Sequence, residues 1–186
     1  MLGGPTLPFV TLEHPPADSP LPHGLPDTHA QTEPATGIAQ PRRSEPCPQC
    51  GRFANRGVSV DAVVVRGSQV LLVQRGVQPD KGLWGTPGGY VEWDESTQDA
   101  LEREVAEETG LTIRDARLVG VYSSPSRHPK QVINLVYLVQ VKDGEPRAGD
   151  DAQALGWFQL DSLPQALALD HRHNISDASR LLRSTE

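Results

Sequence analysis

Two apolar runs separated by a short polar turn occupy residues 58–76. They read VSVDAVVVRG and SQVLLVQRG, and both are rich in valine and leucine, as buried strands are. Between them, Arg66-Gly67-Ser68 has the composition of a hairpin turn. The pattern predicts a β-hairpin and places the start of the globular domain at Val58.

Three later segments are also predicted as strands: residues 116–124, 131–144 and 154–160. In the second of these segments, the positions that suit a mostly buried sheet are Val132, Leu135 or Val136, and Leu138. Trp84 and Trp157 are expected in the core. Strands interleaved with one central and one terminal helix indicate an α/β or α+β sandwich.

The two helices are predicted from different signals. Ser96 followed by Asp99 resembles a capping box, and Gly110 is a suitable residue just after a helix end, so the central helix is expected from about Thr97 to Thr109. The terminal helix is indicated by apolar residues at helical spacing, Ile175, Ala178 and Leu182.

The central helix concentrates carboxylates next to its buried stripe. At about 100° per residue, Glu104, Glu107 and Glu108 lie in an arc beside Leu101 and Val105. Carboxylates in that position repel one another and lose hydration, so they need a cation, and magnesium prefers oxygen ligands. The alternative is a solvated acidic face with partners one turn away.

Composition excludes several classes of partner. The 186 residues carry a net charge of −7 without a clustered basic face, which argues against nucleic acid. No stretch approaches the ~20 apolar residues that span a bilayer, and the start lacks a signal-peptide pattern, so no membrane association and a cytoplasmic location are expected.

The chain divides into three predicted regions. Residues 1–46 are rich in proline and poor in residues that could form a core, so a disordered tail is expected; a linker and a misassigned start codon are the alternatives. Residues 47–57 contain Cys47 and Cys50 in CPQC, half of a zinc ribbon, for which free thiols are the alternative to Zn²⁺. Residues 58–186 are predicted to form the folded domain.

A fixed set of residues surrounds the acidic helix. They are Gly89, then five residues, Glu95, then seven residues, Arg103-Glu104-Val105, one residue, Glu107-Glu108, one residue and Gly110-Leu111. This series matches the Nudix box at every defined position. The chain therefore resembles Nudix hydrolases, which implies an α/β/α sandwich with a mixed sheet. Many members have glycine where this chain has Asp94, a departure in the loop just before Glu95.

The resemblance also implies a site and a reaction. Members hydrolyse a nucleoside diphosphate linked to another moiety, using Mg²⁺ or Mn²⁺ to neutralise phosphate charge and acidify water. The implied metal ligands are Glu104, Glu107, Glu108 and the Gly88 carbonyl. Glu95 would orient the site, and Arg103 would hold the carboxylates by charge pairing. Glu107 and Asp151 are both candidates for the general base.

The substrate prediction rests on residues 120–141, which begin GVYSSPSRHPK. This segment is similar to the Tyr-Ser-Asp-Pro-x-Arg-Asp-Pro loop of ADP-ribose pyrophosphatases, with Ser124, His128 and Lys130 as departures. ADP-ribose or a similar nucleotide sugar is the leading substrate. The alternatives are hydrolysis of (deoxy)nucleoside triphosphates, a non-catalytic nucleotide sensor and a zinc-mediated interaction module.

Several side chains outside the box are candidate substrate contacts: Arg75, Tyr90, Tyr122, Arg127 and Asp151. The arginines suit phosphate oxygens, and Tyr90, Trp93 and Tyr122 could stack on a base. Surface exposure is the alternative for the arginines, and packing is the alternative for the aromatics. The partner is expected to be a small nucleotide, with homodimer formation left open.

Overall fold

The computed structural model describes residues 55–76, 78, 80–128, 130–149 and 152–184. The predicted tail at residues 1–46, the CPQC pair Cys47 and Cys50, and Asp151 all lie outside the described residues.

The described chain contains β1 (Val58–Arg66), β2 (Gln69–Arg75), β3 (Trp84–Gly85), β4 (Gly88–Tyr90), α1 (Thr97–Thr109), β5 (Ile113–Tyr122), β6 (Ile133–Val141), β7 (Ala152–Gln159) and α2 (His171–Arg183). The expected hairpin, the three later strands and both helices are confirmed. The short strands β3 and β4 were not predicted, because two or three residues are too few to show an alternating pattern.

The strands form one mixed sheet. The order is β3-β2-β1-β6-β5, with β4 paired to β1 and β7 paired to β2. β1 and β6 run parallel, from Val58 opposite Ile133 to Val65 opposite Gln140, and the other pairs are antiparallel. The predicted α/β class is therefore confirmed.

Helix α1 covers one face of the sheet. Val60, Ala62 and Val64 of β1 pack in one buried cluster with Leu101 and Val105 of α1. Because a strand places successive side chains on opposite faces, the residues between these three must face the other way.

Helix α2 covers the opposite face. Val63 and Val65 of β1 pack there with Ile175 and Ala178 of α2. Since both faces of β1 are covered, its near-continuous apolar sequence is explained. Asp61 points to the same face as Val63 and is buried, which makes it a charged-type residue in the buried part of a largely apolar strand.

The two tryptophans expected in the core are only half-buried. Trp84 lies against the cluster on the α2 face, with its ring edge-on to Phe158 at 4.9 Å, and Trp157 lies against the cluster on the α1 face.

Among the described residues, no helix is long and apolar enough to cross a bilayer.

Arg56 holds the loop that joins β5 to β6. Its guanidinium donates to the carbonyl of Ser123 at 2.7 Å, where β5 ends, and to the carbonyls of Gln131 and Val132, just before β6. One side chain thus ties both ends of the loop to the segment just before β1.

Replacing Arg56 with methionine should loosen this loop without unfolding the domain. Each lost hydrogen bond contributes about 1 kcal/mol, so the loop amides of Arg127 and Gln131, which bond inside the loop, should exchange with solvent about 10-fold faster or more. Hydrogen exchange measures this. Arg114→Met, which removes an exposed arginine on β5, is the matched control. If amide exchange became equally faster throughout β6, or did not become faster in the loop, the role of Arg56 would be contradicted.

Candidate functional site

Helix α1 begins and ends where the sequence predicts. The Ser96 hydroxyl accepts from the Asp99 N–H at 3.1 Å, and the Ser96 N–H donates to the Asp99 carboxylate at 3.0 Å. Gly110 adopts a left-handed conformation with φ 68°, and its N–H donates to the Ala106 carbonyl. These caps fix the register of α1, and therefore the direction of each carboxylate on it.

Arg103 is the centre of the acidic cluster. Its guanidinium bonds Glu95 twice, at 2.8 and 3.1 Å, Glu104 at 2.8 Å and Glu107 at 3.3 Å. It also donates to the Tyr90 carbonyl at 3.0 Å, which links α1 to β4. The hydrogen bond from Arg103 lowers the pKa of Glu95, and the same bond raises the pKa of Arg103.

The three glutamates of the arc differ in burial. Burial raises the pKa of Glu104, and it raises the pKa of Glu108 to about 7, against a bond from the Gly88 N–H at 3.0 Å that favours the charged form. The Glu107 side chain is 61% exposed. The predicted loss of hydration therefore holds for Glu104 and Glu108 but not for Glu107, which lies furthest around the helix from the buried stripe.

Two glycines of β4 allow close packing on both of its sides. A Cβ atom on Gly89 would lie 2.2 Å from the Glu104 carboxylate, and one on Gly88 would lie 2.2 Å from the Val60 carbonyl. Any other residue at either position would collide with its neighbours. The missing side chain of Gly89 therefore lets Glu104 approach β4, that of Gly88 lets β4 approach β1, and Glu108 reaches β4 through the Gly88 N–H.

A cavity opens on the α2 side of Gly88 and Gly89. Of the side chains predicted to contact substrate, Arg75, Tyr90 and Arg127 line it, and so do His128 and Lys130 of the β5–β6 loop. Its walls therefore carry cations beside the glycines that adjoin the acidic cluster. Guanidinium and ammonium groups in this arrangement suit an anionic ligand.

Arg127 and Tyr90 sit differently in this cavity. Arg127 is anchored by Asp170 through a 2.6 Å bond to one carboxylate oxygen and a second contact to the other. Tyr90 is 45% exposed, and the Lys130 ammonium lies 5.8 Å from its ring centre.

The other aromatic candidates lie outside the cavity lining. The Tyr122 hydroxyl bonds Asp177 at 2.7 Å, and its ring packs under Arg127 at 4.9 Å. Trp93 is 76% exposed and does not line the cavity. Tyr122 thus supports Arg127 from behind, while Tyr90 is the aromatic ring at the cavity itself.

The cavity floor carries polar residues that were not among the site residues predicted from the sequence. Asp61 of β1, Asn134 of β6 and His171 of α2 line the cavity, and Asn174 of α2 lies behind them, bonded to Asp61. All four are buried, and the Asn134 amide donates to Asp61 at 2.6 Å. A polar residue that interrupts an apolar strand, as in VSVDAVVV and VINLVYL, is the signal that could have identified Asp61 and Asn134.

The donors around α1 suit a hard divalent cation. They are carboxylate and carbonyl oxygens, and the buried pair Glu104 and Glu108 gains from a positive charge that would offset its desolvation. Within the part of the chain that the structure describes, no three histidine, cysteine, aspartate or glutamate side chains form a ready-made metal cluster. A site built from all three glutamates would require the exposed Glu107 side chain, which now bonds Arg103, to turn inward.

Comparison with known proteins gives consistent matches. Residues 55–178 match the NUDIX domain family. The chain is similar to a Methanocaldococcus jannaschii protein named ADP-ribose pyrophosphatase, with 42% identity over 129 residues, covering 69% of this chain and 76% of that protein.

Solved structures agree with that match. A MutT NUDIX hydrolase from Burkholderia pseudomallei is 37% identical, with a TM-score of 0.60 over 65% of this chain and 96% of the other. The NUDIX domain of Shewanella oneidensis NrtR, solved with ADP ribose, is 28% identical, with a TM-score of 0.65 over 73% of this chain and 93% of the other. With the complete box on a capped helix, these matches show that the chain belongs to the Nudix family.

Proposed function

We propose that this protein is a pyrophosphohydrolase that cleaves ADP-ribose or a similar nucleotide sugar by attack of water on phosphorus. The observation that carries the proposal is the meeting of two features at Gly88 and Gly89: the acidic cluster of α1 on one side and, on the other, a cavity whose lining includes Arg75, Arg127 and Lys130. The similar Methanocaldococcus jannaschii protein is named for the same reaction.

The proposed metal ligands are the carboxylates of Glu104, Glu107 and Glu108 and the carbonyl of Gly88. Nudix hydrolases generally use divalent metal ions, and we propose Mg²⁺ or Mn²⁺ here because the donors are all oxygens. When bound, such an ion neutralises pyrophosphate charge and lowers the pKa of water.

Arg103 and Glu95 would position these ligands rather than contact substrate. Arg103 already holds Glu104 and Glu107 and is itself fixed by Glu95 and by the Tyr90 carbonyl. Because a guanidinium supplies several donors in a fixed plane, it can hold these carboxylates apart at defined angles.

The substrate phosphates would lie along the cationic wall. Arg75 at the end of β2 and Lys130 in the β5–β6 loop line the cavity, and Arg127 is held there by Asp170. The half-exposed ring of Tyr90 is the proposed stacking surface for the base. The general base stays undecided between Glu107 and Asp151, which lies outside the described residues.

Two expectations from the sequence remain predictions. Leu118 and Val121 on β5 are exposed apolar residues that a homodimer interface would cover. The cytoplasmic location rests on the sequence pattern alone.

Removing one charge from the cluster should abolish most of the activity. Glu107→Gln or Glu108→Gln should lower kcat for ADP-ribose by about 100-fold or more, because each removes a metal ligand while keeping the shape of the side chain. Steady-state turnover with Mg²⁺ measures this. Glu102→Gln, at an exposed position on the same helix, is the control and should keep the wild-type rate. A near-normal rate in either Glu107→Gln or Glu108→Gln would show that the ligand assignment is wrong.

Metal affinity should rise with pH up to neutrality. With its pKa raised to about 7 in the metal-free protein, Glu108 is protonated in acid, so a proton competes with the metal there. Titration with Mn²⁺ should show affinity increasing between about pH 5.5 and 7 and levelling off above, with protons released on binding. Glu108→Gln should bind more weakly with a flatter profile. An unchanged pH profile in that variant would contradict the assignment.

A further inference from the structure

His171 is held as a neutral ring with a known tautomer. The Thr86 N–H donates to His171 Nδ1 at 2.7 Å, and the Thr86 hydroxyl lies 2.9 Å from the same atom. Since Nδ1 must supply a lone pair to that N–H, the ring proton of a neutral histidine lies on Nε2. Burial also lowers the pKa of His171, which favours the neutral ring.

Asp61 is fixed beside this ring. Its Oδ2 atom accepts from the side-chain amides of Asn134 at 2.6 Å and Asn174 at 3.3 Å. On its other side, Gly88 leaves room: a Cβ atom there would lie 2.8 Å from Asp61 Oδ1. The carboxylate is thus held in one orientation, and Gly88 has no side chain that could cover its Oδ1 atom.

The two groups do not bond each other. His171 Nε2 and Asp61 Oδ2 are 4.0 Å apart, too far for a hydrogen bond, and both residues line the cavity. A donor and an acceptor at this separation can be bridged by one oxygen that accepts from the ring and donates to the carboxylate. A hydroxyl does both, whereas an ionised phosphate oxygen cannot donate and an ammonium cannot accept.

We propose that Asp61 and His171 form a receptor for one sugar hydroxyl of the substrate. The proposal rests on the proposed function, because it places a nucleotide sugar in this cavity. Charge separates the two parts of the ligand: phosphates are drawn to Arg75, Arg127 and Lys130, while the Asp61 carboxylate repels them and accepts a neutral hydroxyl. The pair would make the enzyme select a hydroxylated sugar at this point.

The test compares ADP-ribose with analogues that each lack one secondary hydroxyl of one ribose. For the wild-type enzyme with Mg²⁺, one analogue should show kcat/KM about 10- to 100-fold below that of ADP-ribose, as expected when a buried polar pair loses its ligand hydroxyl. The other analogues should be cleaved nearly as well as ADP-ribose.

Variants at the pair should remove this discrimination. Asparagine can replace His171 Nδ1 as the acceptor for Thr86 but has no donor at the Nε2 position. His171→Asn should therefore bring the ratio of kcat/KM for ADP-ribose to kcat/KM for the disfavoured analogue close to one. Asp61→Asn should also reduce the ratio. Glutamine keeps a donor near the Nε2 position, so His171→Gln should retain most of the discrimination. His173→Asn, the same change at an exposed histidine of α2, is the control and should keep the wild-type ratio.

The kcat/KM values for ADP-ribose and its analogues distinguish failure of the hydroxyl receptor from failure of the proposed function. If the wild type cleaves ADP-ribose but treats all the analogues alike, the hydroxyl receptor is wrong while the proposed function stands. If His171→Asn and Asp61→Asn lower turnover equally on every analogue, the pair acts on water instead, which also overturns the receptor. If wild-type protein cleaves none of these compounds, the proposed function itself fails. Circular dichroism spectra matching the wild type establish that each variant is folded.

Discussion

The contact between the Arg103 guanidinium and its surrounding carboxylates is the interaction on which the rest of the site depends. Helix α1 places Glu104 and Glu108 against the sheet, where burial raises the pKa of both groups. Arg103 supplies a positive charge at 2.8 Å from Glu104 and, through the Tyr90 carbonyl, ties the helix to β4. Without this charge, the carboxylates would repel one another at the edge of the core.

The fold brings this acidic cluster next to a cavity of different character. β1 separates two cores, one under α1 and one under α2, and β4 pairs with β1 at Gly88 and Gly89. Because these glycines have no side chains, the carboxylates of α1 and the floor of the cavity approach the same short piece of backbone from opposite sides. This arrangement gives the proposed reaction a cation-binding side and a ligand-binding side.

The sequence predicted what is encoded locally. The ends of α1 follow from Ser96, Asp99 and Gly110, and the spacing from Gly89 to Leu111 identifies the acidic cluster, since these residues are close along the chain. The cavity floor could not be predicted in the same way. Asp61 and Asn174 are 113 positions apart and meet only because α2 packs on the face of β1 to which Asp61 points. Likewise, nothing near Arg56 in the sequence indicates that it binds a loop about 70 residues further along.

The central claim is that water attacks phosphorus in ADP-ribose, and its most direct test is ³¹P NMR of the reaction in ¹⁸O-enriched water with Mg²⁺. The account predicts conversion to AMP and ribose 5-phosphate, with one product carrying ¹⁸O bonded to phosphorus. Unchanged ADP-ribose in the presence of protein that binds both the metal and the nucleotide would contradict it and would favour a nucleotide sensor. Turnover of nucleoside triphosphates alone, with ADP-ribose left intact, would contradict the substrate assignment while keeping the chemistry.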